Sequence, residues 1–204
     1  MYSKKTSLLI GFHGCDKKIR DAVINGGELK PSLNAYDWLG NGIYFWESDP
    51  QRAYEWAEQA SKRKGSSVTM PAVLGAVIDL GNCLDLTNRQ SIPVLKMGYS
   101  WLKKSYEDSE KTMPENRNVG SNTDFLQRDL DCAVIESIHK MLKTMPELGI
   151  PPFDSVRGLF IEGSEVYEGA CFREKTHTQL CIINPNCIKG YFLPRKLNKL
   201  YPIP

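Results

Sequence analysis

The sequence predicts an α+β fold in which a mostly antiparallel β-sheet takes its strands from both ends of the chain. Two observations lead to this fold class. Short apolar and β-branched runs gather in the first and last thirds, and stretches with helical spacing fill the middle. The 204 residues contain no internal repeat and no long linker. A chain of this length can bury a hydrophobic core without disulfides or metal ions. We therefore expect one domain, residues 1–204.

The N-terminal third predicts strands and helices in alternation. Residues 7–12 form a short β-like run, and residues 16–25 predict a short helix that ends at a Gly-Gly pair. Residues 43–46, Ile-Tyr-Phe-Trp, are β-branched and aromatic and predict a second strand. Asp49 and Pro50 then make a helix start, so we expect residues 51–63 to be helical.

The rest of the chain predicts a helical middle followed by further strands. Residues 71–80 are apolar and β-branched and predict a buried strand that 83–86 continues. Residues 90–102 and 129–142 carry helical spacing, whereas the polar stretch 107–123 predicts an exposed loop that affects substrate choice rather than chemistry. The last predicted strands are 158–161, 178–183 and 187–193.

Composition excludes several classes of protein. A net charge of +2 is too small to predict nucleic-acid binding by itself. Six cysteines without a CxxC pair predict reduced thiols and a cytoplasmic setting, and three histidines without zinc spacing predict no metal. No apolar run approaches the roughly 18 residues of a membrane span, so we expect no membrane partner. The sequence has neither a GxGxxG fingerprint nor a Walker loop, which disfavours a Rossmann dehydrogenase and a P-loop enzyme.

Two short motifs carry the chemistry. The first is Gly11-Phe12-His13-Gly14, where a β-like run ends in a histidine and the following glycine has no side chain to cover it. The second is Gly40-Asn41-Gly42-Ile43-Tyr44-Phe45, where two glycines allow a close backbone approach before a strand presents Tyr44. We expect His13 and Tyr44 to face one cleft and grip a flat, sugar-bearing ligand. The structural alternatives are that His13 is a strand-end histidine hydrogen-bonded to the backbone and that Tyr44 is an aromatic residue of the core.

The two motifs are followed by a helix with Trp56-Ala57 and by the late strand Thr178-Gln179-Leu180-Cys181-Ile182. In this order they resemble the ADP-ribosyltransferase superfamily. The resemblance is to the His-Tyr-Glu branch typified by diphtheria toxin and the poly(ADP-ribose) polymerases. It covers both ends of the chain better than the helical middle. It implies a split β-sheet, with helices inserted in the middle, and NAD as co-substrate without a metal.

The resemblance also assigns roles to individual residues. His13 would bind the adenosine-side ribose, the Gly14 backbone the nicotinamide carboxamide, and Tyr44 would stack on the nicotinamide ring, with Gly42 part of the same binding site. The family's glutamate falls on Gln179, which we expect to accept a hydrogen bond from the ribose 2′-hydroxyl but to supply no charge.

The missing charge calls for a substitute carboxylate. Glu174, just upstream of Gln179, is the first candidate that we consider, and Glu162 and Glu47 are weaker ones. Without a glutamate at position 179, chain elongation into a polymer is not expected, and catalysis is expected to be slower by about 10²–10³.

The implied function is an enzyme, a mono-ADP-ribosyltransferase that cleaves the nicotinamide glycosidic bond of NAD and transfers ADP-ribose to a protein or nucleic acid. An intracellular toxin or defence effector, with a neutralising partner protein, would fit such an activity. Two alternatives stay open: an NAD glycohydrolase, for which water is the acceptor, and a catalytically inactive module that binds NAD or ADP-ribose.

Overall fold

A computed structural model describes residues 8–119 and 124–201 of the chain. The described residues form nine strands and four α-helices. In chain order these are β1 (Leu9–Asp16), α1 (Lys17–Ile24), β2 (Ile43–Glu47), α2 (Pro50–Ser61), β3 (Pro71–Ile78), β4 (Cys83–Asp85), α3 (Ile92–Asp108), β5 (Asn116–Arg117), β6 (Gln127–Arg128), α4 (Asp129–Thr144), β7 (Ser155–Phe160), β8 (His177–Ile182) and β9 (Ile188–Phe192).

Seven of the strands form one mixed sheet in the order β4-β7-β8-β2-β1-β3-β9, and β5 pairs with β6 in a separate ribbon. Every neighbouring pair in the large sheet is antiparallel except β4 and β7, which run parallel. The predicted α+β class with a mostly antiparallel sheet is therefore confirmed.

The sheet is narrowest where β1 meets β2. These strands pair at Gly11↔Glu47 and Phe12↔Trp46. Beyond that point β1 continues along β3 as far as Asp16↔Pro71, while β2 continues along β8 as far as Ile43↔Ile182. The sheet thus consists of two halves that separate past a two-pair junction. We call this opening between β1 and β2 the seam.

Each face of the sheet buries its own apolar cluster. One cluster gathers around Phe45 and Leu74 and includes Val23 of α1. The other contains Cys181 of β8 and the apolar side of α4, with Leu102 of α3. Helix α2 lies across β1 with its buried Ala53 and Ala57. The helices therefore cover both faces of the sheet.

Gly14 lies in a part of β1 that the sequence did not predict. The first strand was predicted to end at residue 12, but β1 continues through Gly14 to Asp16. A Cβ on Gly14 would lie 2.0 Å from the Ala53 carbonyl oxygen, so the glycine allows α2 to pack directly on the strand. Gly14 is therefore a packing position within the strand.

The middle of the chain also differs from the prediction. Helix α3 continues to Asp108, about one and a half turns past the predicted end. The predicted loop 107–123 contains β5, which pairs with β6 just before α4. Residues 120–123 of that loop lie outside the described part of the chain.

Two properties of the described residues bear on the sequence-based exclusions. None of the six cysteines forms a disulfide, and burial raises the pKa of the Cys15 thiol to about 11. Within 8–119 and 124–201, no helix is both long and apolar enough to cross a membrane.

Candidate functional site

His13 stands at the seam, where β1 leaves β2. Its Nδ1 lies 2.7 Å from the Tyr44 carbonyl oxygen, and its ring centroid lies 5.8 Å from that of Phe45. Because a carbonyl oxygen can only accept, Nδ1 carries the proton, and Nε2 of the neutral ring is an acceptor. Burial lowers the pKa of His13, an effect that the hydrogen bond to Tyr44 partly opposes. His13 is therefore a neutral imidazole of fixed tautomer at pH 7.

Tyr44 is held rigidly by its hydroxyl. The hydroxyl donates to the Gly40 carbonyl oxygen at 2.8 Å and accepts from the Leu39 amide at 3.0 Å. Burial raises the pKa of Tyr44, so the phenol is neutral. The ring packs against the apolar cluster of α3 and α4, on the opposite face of β2 from Phe45.

The two residues meet at the seam without sharing one face of the sheet. His13 contacts the Phe45 ring, whereas Tyr44 points to the other face, and the link between them runs from the His13 ring to the Tyr44 main chain. The expectation that both rings face a single cleft is therefore wrong, because the two side chains leave the sheet on opposite faces. A ligand that touches both must lie across the seam.

The motif glycines are needed for packing. A Cβ on Gly42 would lie 2.5 Å from Cys181 Sγ and 2.7 Å from the Ile182 carbonyl oxygen, and a Cβ on Gly14 would strike the backbone of α2. Protein atoms therefore account for the missing side chains at both positions. Their contact with a ligand, through the backbone, stays a prediction.

Gln179 has an orientation that the sequence did not predict. It lies in β8 opposite Trp46, and its Oε1 accepts a hydrogen bond of 2.6 Å from Trp38 Nε1. Because an indole nitrogen only donates, this contact fixes which end of the amide is the oxygen. Nε2 is therefore the end directed away from Trp38, and Gln179 would donate to a ligand hydroxyl rather than accept from it.

The three candidate carboxylates lie in different surroundings. Glu174 is exposed in the connection between β7 and β8. Glu47 is paired with Arg157 at 2.6 Å. Glu162 is buried, and its Oε2 lies 2.7 Å from Arg52 Nη2. Only Glu162 combines burial with a place beside the aromatic side chains described next.

Four aromatic rings, Trp46, Trp56, Phe160 and His177, form a cluster that the sequence analysis missed as a unit. The His177 ring stacks on Phe160 with centroids 5.6 Å apart and lies 6.2 Å from Trp46, which lies 5.9 Å from Trp56. His177 Nδ1 lies 2.6 Å from the Lys175 carbonyl oxygen, so this histidine also keeps its proton on Nδ1. Burial lowers the pKa of His177, and the hydrogen bond to Lys175 partly opposes it.

Several buried polar atoms in and beside this cluster have no hydrogen-bond partner among the described residues. They are Trp46 Nε1, Arg52 Nε, Arg52 Nη1 and His177 Nε2. Buried polar groups are normally paired with protein or with ordered water, so this concentration marks a polar site between the sheet and α2. The sequence carries one signal for it: Arg52 falls on the same helical face as Trp56 and Ala60, which is the core face of α2.

Comparisons with known proteins give one relative without a stated activity. The chain is 27% identical over 210 residues to the uncharacterized protein MJ0359 of Methanocaldococcus jannaschii, an alignment that spans 92% of this chain and 89% of the relative. No family model matches the sequence, and no solved structure matches it.

Among residues 8–119 and 124–201, no group of three or more His, Cys, Asp or Glu side chains is arranged to hold a metal ion.

Proposed function

We propose that this protein binds NAD across the seam and transfers ADP-ribose to a protein or nucleic-acid acceptor with release of nicotinamide. The observation that supports this most directly is the divergence of β1 and β2 after Phe12↔Trp46, with His13 Nδ1 bound to the Tyr44 carbonyl oxygen at that point. The two motifs that resemble the ADP-ribosyltransferases thus meet at one opening of the sheet.

The side chains suit the proposed roles. His13 Nε2 is an acceptor in the neutral ring and can take a hydrogen bond from a ribose hydroxyl. Tyr44, held by two hydrogen bonds, offers a fixed aromatic ring for stacking on nicotinamide. Gln179 Nε2 can donate to the oxygen of the 2′-hydroxyl and so orient the sugar.

The reaction itself exchanges one bond at the ribose. The C1′–N bond to nicotinamide breaks, and its electron pair neutralises the pyridinium nitrogen. An acceptor oxygen or nitrogen bonds to C1′, and the proton that it loses passes to solvent. Positive charge develops on the sugar during this step. Gln179 supplies no counter-charge, so we expect slow turnover compared with an enzyme that has a carboxylate there.

A second candidate function is binding of NAD or ADP-ribose without turnover. The surroundings of the carboxylates favour it: Glu162 and Glu47 are each paired with an arginine, and Glu174 is exposed. In that arrangement none of the three offers a buried, unpaired negative charge to the developing sugar cation.

Labelled NAD distinguishes these functions. The protein is incubated with NAD alone, with a protein pool and with an RNA pool, while binding is measured by calorimetry and nicotinamide release by chromatography. Release that requires a pool supports transfer, release with NAD alone supports hydrolysis, and binding without release supports the second candidate. Failure to bind NAD contradicts the proposal.

Variants test the site at the same time. His13→Ala and Tyr44→Phe should each weaken NAD binding or turnover. The matched controls are His139→Ala, on α4, and Tyr54→Phe, an exposed tyrosine on α2. Equal effects of a variant and its control would argue against a ligand at the seam.

A further inference from the structure

A cavity of about 560 Å³ opens between α3 and α4, and its lining includes Trp38, the residue that donates to Gln179. The volume is typical of sites that hold a small organic ligand, which usually combine apolar walls with a few polar groups. Its apolar walls are formed by Trp38, Leu86, Leu95, Val134 and Ile135, and its polar lining by Lys96, Tyr99, Ser100, Arg128 and Asp131.

The helices on either side of the cavity are fixed against each other. A Cβ on Gly98 would lie 2.2 Å from Ile138 Cγ1, so α3 and α4 are in direct contact there. Ser137 Oγ also donates to the Gly98 carbonyl oxygen at 2.9 Å. Close contact and a buried hydrogen bond hold the walls in place, so a ligand would find the cavity already formed.

The charges around the cavity do not balance. Asp131 is compensated, because its Oδ2 lies 3.7 Å from Arg128 Nη1 and its Oδ1 accepts from Asn116 Nδ2 at 2.9 Å. Arg128 is also covered by rings, with its guanidinium carbon 4.1 Å from the Phe160 centroid and 5.2 Å from that of Trp38. Lys96 is exposed and forms no ion pair with any residue in 8–119 or 124–201.

We infer that this cavity binds a small molecule with an apolar ring and a single negative charge. The ring lies between the aliphatic walls and the Trp38 indole, which removes both apolar surfaces from water. The negative group lies at the mouth, where Lys96 supplies the uncompensated positive charge. A cationic ligand is disfavoured because it would meet Lys96 and the Arg128 guanidinium. This inference does not depend on NAD chemistry.

Three naphthalene probes of similar size test the inference on the whole protein. They are naphthalene-2-sulfonate, neutral 2-naphthalenemethanol and the cationic 2-naphthylmethylammonium ion, each titrated by calorimetry at low salt. We expect one site per chain and the order anion, neutral, cation from tightest to weakest. Equal binding of the anion and the neutral probe, or no binding of the anion, overturns the proposal.

Variants locate the site. Lys96→Glu should weaken sulfonate binding about fivefold, as expected for reversing one exposed charge, and should leave the neutral probe unaffected. Lys104→Glu, on the same helix but outside the cavity lining, is the control and should change neither. Ser100→Trp, at an exposed position of the lining, should fill the cavity and abolish binding of both probes while the melting temperature stays within a few degrees.

The combinations of results are decisive. Sulfonate binding that survives Ser100→Trp places the probe elsewhere, and an equal loss in Lys96→Glu and Lys104→Glu shows a general charge effect. Either result contradicts the assignment.

Discussion

Removal of Glu162 should destabilise the protein strongly, because the Arg52 guanidinium would lose the one hydrogen-bond partner that it has within 8–119 and 124–201. The two side chains are 8% and 11% exposed, and the Nη2–Oε2 distance is 2.7 Å. Arg52 Nε and Nη1 already lack partners among the described residues. Glu162→Leu therefore leaves a buried, unpaired charge, a change that typically costs about 3–5 kcal/mol.

The corresponding shift in melting temperature follows from the size of the domain. In a chain of this length, 1 kcal/mol corresponds to about 2–4 °C, so Glu162→Leu should lower the melting temperature by roughly 6–20 °C. Thermal and guanidinium unfolding measure the effect. Glu47→Leu is the matched control, because Arg157 keeps contacts with Asp85 at 3.3 Å and Thr87 at 2.9 Å. A cost for Glu162→Leu no larger than that for Glu47→Leu would refute the reasoning.

The double variant Arg52→Met/Glu162→Leu separates stability from function. It removes both charges at once, and an apolar replacement of a buried pair is often neutral or stabilising. We expect it to recover most of the lost stability. If it folds well but no longer binds NAD or releases nicotinamide, the pair serves the ligand. If activity persists as well, the role of Glu162 is structural.

Three further predictions follow from the geometry of the site. Gly14→Ala should destabilise the protein by about 1–3 kcal/mol or more in guanidinium unfolding, because the new Cβ meets the backbone of α2. Gly190→Ala is the control and should be tolerated, because no atom lies within 4 Å of its Cβ position. Equal losses of stability in the two variants would argue against the close approach. Gln179→Glu should raise nicotinamide release if the missing charge limits the reaction. Trp38 can donate to one oxygen of the new carboxylate, which leaves the other oxygen for the sugar. Unchanged nicotinamide release, measured by chromatography, would show that the charge is not limiting. Burial lowers the pKa of all three histidines below 6.5, so the unfolded chain binds more protons than the folded one just below that pH. The free energy of unfolding should therefore fall as the pH drops from 7.5 to 5.5. Unfolding curves without such a slope, or histidine NMR titrations with pKa values above 6.5, would contradict this.

The local elements could be predicted from the sequence because their signals are local. Asp49 and Pro50 mark the start of α2, where the Asp49 carboxylate accepts from the Arg52 amide at 2.8 Å. The apolar run that predicts β3 has the same start as the observed strand, Pro71. Such patterns depend on neighbours within a few residues, which one sequence contains in full.

The contacts that build the candidate site could not be predicted, because they join distant segments. Trp38 and Gln179 are 141 residues apart, and Arg52 and Glu162 are 110 apart. A single sequence carries no record of which strands become neighbours, so the orientation of Gln179 and the buried pair were invisible. The packing role of Gly14 could not be predicted for the same reason, since its neighbour in space lies on α2.

The strand order has a consequence for how the chain folds during synthesis. β8 lies between β7 and β2 in one half of the sheet, while β9 pairs with β3 in the other half, and both strands come from the last quarter of the chain. On the ribosome, β2 and β3 must therefore wait with unpaired edges until residues 177–192 have emerged from the exit tunnel. The pairings of β2 with β8 and of β3 with β9 join segments far apart in the sequence, and such contacts form slowly. The nascent protein should therefore be exposed to edge-to-edge association for most of its translation.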